Sequence, residues 1–125
     1  MPKINIGVGE FIDRYTILEL KNTKGLNVIK EFSQYQDVVL NEFGDKLEGF
    51  NCYSNILEAI NHELWELEDR RRKEIAINGL FNGERNTANL ITKLNDVRSL
   101  VKKSADDFFK SEIKEVKSHG LTLET

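Results

Sequence analysis

The chain has a single cysteine, Cys52, so it cannot form an internal disulfide and lacks the Cys-His spacing of a zinc site; a reducing compartment is the natural setting. No stretch approaches the roughly 18 apolar residues a membrane span needs. The opening Met1-Pro2-Lys3-Ile4 shows no basic segment leading into a long apolar run, so the expected location is the cytoplasm. Charge of one sign is also lacking: the net charge is -3, and the one basic cluster, Arg70-Arg71-Arg72-Lys73, spreads around a helix. Duplex nucleic acid is excluded as the main partner, because binding phosphates without regard to sequence needs a clustered excess of Lys and Arg. With two histidines, no Gly-x-Ser-x-Gly and no phosphate-cradling glycine loop, nucleophilic catalysis has no support. The expectation is no catalytic residue, no metal and no cofactor.

What is present is the composition of a helix-rich globule: 39% apolar and 31% charged residues, seven Phe and one Pro. The 125 residues suit one domain spanning 1-125, with a single core. Alternation over Lys3 to Val8 predicts a short strand that Gly9 closes. Helical spacing then runs from Glu10 to Lys24 with a left-handed cap at Gly25, and continues from Leu26 to Gly44. A loop containing Gly49, Cys52 and Tyr53 is expected next. A third helix is expected from Ser54 or Asn55 to Gly79, and a fourth from about Asn82 to Lys110. The alternation in Ser118 to Thr125 leaves open a second strand that would pair with the first. The fold class is mainly α, a four-helix antiparallel bundle-like domain, with a two-stranded ribbon joining the termini as the open addition.

Around the third helix, taking Leu57 as zero and a turn of about 100° per residue, the apolar residues cluster from roughly 280° to 360°. Asn61, Trp65, Glu68 and Arg72 fall at about 20° to 80°, along the margin of that face. An indole set between an amide, a carboxylate and a guanidinium suits a nucleobase or another flat ring with polar edges; the same four residues could instead tie helices together. On the first helix Glu19 lies within the arc of Phe11, Ile12, Tyr15 and Leu18, where an unpaired carboxylate is costly. Arg72 and Arg98 are its candidate partners. The two readings are a structural network including Glu19, Glu68 and Asp69, and a pocket between helices that presents arginines to a ligand. In the pocket reading Tyr15 and Trp65 stack on a base, which is worth about 1–3 kcal/mol per base. Arg14, Arg72 and Arg98 meet phosphate or carbonyl oxygens, Thr16 adds a donor, and Asn61 reads a base edge.

Glu63-x-x-Glu66 followed by Asp96 resembles the carboxylate pattern of all-helical nucleotide pyrophosphatases of the MazG type, which hold Mg²⁺ between inward-facing acids. Here the pattern is incomplete, because Thr92 stands where a further Glu is wanted and Asp96 lies roughly 150° from its helix's apolar centre.

A second resemblance covers most of the chain. Val8-Gly9-Glu10-Phe11-Ile12-Asp13-Arg14-Tyr15-Thr16-Ile17-Leu18-Glu19-Leu20-Lys21, then Asn61-x-x-Leu64-Trp65-x-x-Glu68-Asp69-x-x-Arg72, Asn95-Asp96-x-Arg98 and Glu115-Val116-Lys117-Ser118 resemble a family of small domains of unknown function found in bacteria and tailed phages. His119 departs from it, standing where an aromatic residue is usual. The resemblance implies a compact, mostly helical domain and transfers no catalytic residue. It also gives a context, since small helical phage proteins often act by binding, among them oligomeric sponges that sequester cyclic-nucleotide immune signals. The leading expectation is therefore a non-catalytic protein that captures a small nucleotide-like ligand as a homo-oligomer, such as a phage counter-defence sponge. Two alternatives stand beside it: a divergent Mg²⁺-dependent pyrophosphatase using Glu63, Glu66 and Asp96, and an interaction or oligomerisation module docking through Phe32, Val39 and Phe43.

Overall fold

The structure, a computed structural model, describes residues 3–78, 82–110 and 115–119. Strand β1 (Lys3–Gly7) leads into α1 (Val8–Thr23), followed by α2 (Ile29–Phe43), α3 (Leu47–Asn78), α4 (Asn82–Phe109) and β2 (Glu115–His119). The two strands pair antiparallel, with Lys3 opposite His119 and Gly7 opposite Glu115. The mainly α, four-helix expectation holds, and the terminal ribbon is present. Its second strand begins earlier than the Leu121-Thr122-Leu123 alternation suggested; those residues lie outside the described ones. No helix among the described residues is long and apolar enough to cross a membrane.

Helix α1 starts one residue before Gly9, so this glycine sits in the first turn instead of closing the strand. The reason is steric. A Cβ on Gly9 would lie 2.1 Å from the carbonyl oxygen of Lys102, so only glycine lets α1 cross α4 this closely. Gly7, the residue before the helix, has no side chain to cap it. Asp106 of α4 does so instead, accepting a hydrogen bond from the Gly9 N–H at 2.7 Å across 97 residues of sequence. At the other end Gly25, with φ 81°, closes α1 as expected. The N–H groups of Gly25 and Leu26 return to the carbonyls of Asn22 and Lys21, the paired bonds of a Schellman cap.

Helix α3 begins at Leu47, seven residues ahead of the expected start, and Gly49 lies inside it. The expected loop is absent because a Cβ at Gly49 would stand 2.7 Å from Phe108 and 3.2 Å from Phe109. Ring packing there outweighs the roughly 1 kcal/mol helix penalty of glycine. Phe11 of α1 stacks on Tyr35 of α2 at 4.9 Å, and Phe43 reaches Phe11, Phe50 and Phe109, so one aromatic column ties all four helices. A second, smaller core of Ile60, Leu64, Leu67 and Ile91 joins α3 to α4 farther along the hairpin. Each fully buried side chain of this kind contributes about 1.5–3 kcal/mol. Phe32, Val39 and Phe43 all lie in the first core, so the reading in which they dock a partner is overturned. Helix α1 packs against α2, α3, α4 and both strands, and its buried residues Phe11, Ile12, Asp13, Ile17 and Leu18 point all the way round it.

Candidate functional site

Where α1 crosses α4, polar side chains from both helices line a recess of about 300 Å³: Glu10, Asp13 and Arg14 from α1, and Asn95, Arg98 and Lys102 from α4 among them. Asp13 is 0% exposed and forms its floor. Arg98 grips it as a fork, Nε to Oδ1 at 2.9 Å and Nη2 to Oδ2 at 2.5 Å. Asn61 of α3 donates through Nδ2 to Asp13 Oδ1 and to Thr16 Oγ1, both at 2.9 Å. The Thr16 hydroxyl in turn donates to the Asp13 carbonyl at 2.7 Å. A buried carboxylate is tolerated only when its lone pairs are filled in this way, and the two planar donors of arginine suit that need.

Above this floor the charges are shared. Glu10 accepts from Arg14 Nε at 3.1 Å and from Lys102 Nζ at 2.8 Å, and Lys102 also stands 3.8 Å from Asp13. Three cations therefore meet two carboxylates, leaving the recess with one net positive charge. Burial works against the Arg14 guanidinium, but its bond to Glu10 and the nearby Tyr35 hydroxyl hold its pKa above the ordinary value. For Arg98 the bond to Asp13 outweighs burial and gives the same direction. The Tyr35 hydroxyl is buried and makes no hydrogen bond among the described residues, so it acts on Arg14 by proximity.

The structure separates the expected ligand-binding residues. Arg14 and Arg98 line the recess, while Thr16 and Asn61 are sealed beneath it as supports for Asp13. Tyr15 packs edge-on against Phe50 and tilted against Phe32, an aromatic neighbourhood within the core. Trp65 is half-buried, with the Lys24 ammonium 6.0 Å from its ring centre. Arg72 is exposed and lies 3.7 Å from Asp69, which also pairs with Lys73 at 3.0 Å. The hydrogen bond from Lys73 holds the Asp69 carboxyl below its usual range. Neither Trp65 nor Arg72 lines the recess, so the stripe of Asn61, Trp65, Glu68 and Arg72 does not converge on it.

The expected partners of Glu19 also need correction. Glu19 meets neither Arg72 nor Arg98; with Glu58 and His62 it lines a separate recess of about 480 Å³ between α1 and α3. Burial, and then the Glu58 carboxylate beside it, push Glu19 above the ordinary carboxylate range. The buried acid that Arg98 serves is Asp13. Glu63, Glu66 and Asp96 are exposed, and they do not gather into a cluster of three metal-capable side chains; no such cluster occurs among the described residues.

No protein-family model, no curated protein and no solved structure matches the chain. Fold and recess together define its class: a mainly α, four-helix domain with a charged site at the crossing of its first and last helices.

Proposed function

We propose that the protein is a non-catalytic binding protein whose α1–α4 recess captures a small, phosphate-bearing, nucleotide-like ligand. The observation that carries this reading is the convergence of Arg14, Arg98 and Lys102 on one recess with, among its described lining residues, only Glu10 and Asp13 to balance them. Arg98 is committed to Asp13, so it sets the field of the site and holds its shape. Arg14 and Lys102 are the mobile contributors, since both can turn from Glu10 to an incoming anion without uncovering the buried acid. The amide of Asn95 and the hydroxyl of Ser99, also on the lining, offer hydrogen bonds to a sugar or base edge. A volume of about 300 Å³ is at the lower end of small-molecule sites, enough for a phosphate with part of its nucleoside. The narrower reading, a sponge for a nucleotide immune signal, comes from the family resemblance; the recess supports its phosphate-binding part.

Thermal denaturation with a panel of inorganic phosphate, nucleoside phosphates, cyclic dinucleotides and matched unphosphorylated nucleosides tests this. A ligand at about 100 times its Kd stabilises the fold by about 2.7 kcal/mol, which such a scan resolves easily. Phosphate-bearing compounds should raise Tm and the nucleosides should not, and Arg14→Ala with Lys102→Ala should abolish the rise while circular dichroism stays helical. A panel in which nothing stabilises the protein ends the proposal.

A further inference from the structure

On α4, Leu90, Val97, Leu100 and Phe108 are exposed, Leu100 at 67% and Phe108 at 60%. At 100° per residue these four fall within an arc of about 80°, beside the buried face that carries Ile91, Ala105 and Phe109. Tyr53 of α3 bonds to Ser104 and packs its ring against Phe108 of this stripe, and Ile56, one turn farther along α3, is exposed as well. Charges lie within the stripe and along one edge in a particular order. Lys93 and Asp107 lie seven residues before and after Leu100, while Asp96 and Lys103 lie four before and three after. All four are exposed, and none makes an ion pair with another described residue of its own chain.

We infer that this face joins two copies of the chain, with their α4 helices antiparallel about a two-fold axis at Leu100. A two-fold interface presents the same patch from both sides, so each residue must suit the one that the rotation brings opposite it. Turning α4 about Leu100 sets Lys93 of one copy directly against Asp107 of the other, and brings Asp96 opposite Ser104, one residue along the same flank from Lys103. Each opposite charge is met twice, and Leu100 meets its own copy at the centre. A parallel pairing in register would set Lys93 against Lys93 and Asp107 against Asp107, so the charge order selects the antiparallel arrangement. Lys93 and Asp107 are about 21 Å apart along the axis at 1.5 Å per residue, a span that the 28-residue helix accommodates with turns to spare. The face carries its own complement, and this singles out a second copy as the occupant over an unrelated protein. The recess at the α1 crossing lies on another side of α4, and the pairing does not depend on what it binds.

Sedimentation equilibrium of the full chain, from low micromolar to millimolar protein, is the test. The expected mass is twice 14.4 kDa. Leu100→Glu brings two carboxylates together on the axis and should weaken association by about 100-fold or more. Because Leu100 is exposed, helical circular dichroism should persist in this variant. Lys93→Glu alone should weaken the dimer several-fold, and combining it with Asp107→Lys should restore it; this charge swap decides the matter if Leu100→Glu loses its fold. A single-chain mass at millimolar protein, a dimer unmoved by Leu100→Glu, or a charge swap that fails to restore association would each overturn the inference.

Discussion

Replacing Arg98 by Met keeps a flexible apolar stem but removes both donors that fill the Asp13 carboxylate. Asp13 is fully buried, so water cannot take their place, and what remains is the Asn61 amide and the Lys102 ammonium at 3.8 Å. Breaking a buried pair by deleting one partner costs about 3–5 kcal/mol. The residual lysine and the partial exposure of Arg98 argue for the lower end, about 3 kcal/mol. A domain of this size has only about 5–15 kcal/mol in hand, so the loss is large. Urea denaturation followed by circular dichroism should show the midpoint falling with an unchanged slope, because the area exposed on unfolding is the same. Asp13→Asn in the Arg98→Met background should recover part of the loss, giving a coupling of about 2 kcal/mol in the double-mutant cycle. A single-variant cost under about 1 kcal/mol, or no coupling, would mean that Asp13 is hydrated and that the network does not lock α1 to α4.

Two further substitutions probe separate links. Gly9→Ala drives a methyl into the Lys102 carbonyl and should cost about 3 kcal/mol by spreading α1 from α4, whereas Gly25→Ala, with no atom within 4 Å to clash, should cost only the 1–2 kcal/mol or so of a left-handed alanine; denaturant midpoints of the two variants compare these directly. Glu19 has its folded pKa raised, so the stability tied to its proton is fully present below the ordinary glutamate value of about 4.3 and is lost as pH climbs through the raised value. Glu19→Gln should therefore raise Tm at neutral pH and lose that advantage in acid, and an equal gain at both would refute the Glu19–Glu58 repulsion.

The sequence made the helices legible because their apolar residues recur at helical spacing, and Gly25 announced its cap because few other residues take that conformation. Arg98 and Asn61 could be picked out from their places at the margins of apolar faces. Asp13 could not. A surface helix has one oily arc and one wet side, but α1 is central, with Thr16, Ile17 and Leu20 buried on the same side as Asp13. The signal was there in those three residues, which continue the apolar surface around the helix and leave little of it for water. Gly9 and Gly49 are illegible for a related reason: in sequence a glycine inside a helix looks like a break, and only the Lys102 carbonyl and the Phe108 ring resting against them show why it is there.

The carboxylate of Asp106 that secures the first turn of α1 sits near the far end of the chain, 97 residues on. During synthesis at about 5–20 residues per second, that clamp is made roughly 5–20 seconds after the helix it must hold. Until then the opening turn has an uncapped glycine before it and no α4 backbone beside it. The start of α1, made before α4, is thus among the last parts of this fold to be fastened, and a ribosome stalled before α4 would leave that helix start open to whatever else is in reach.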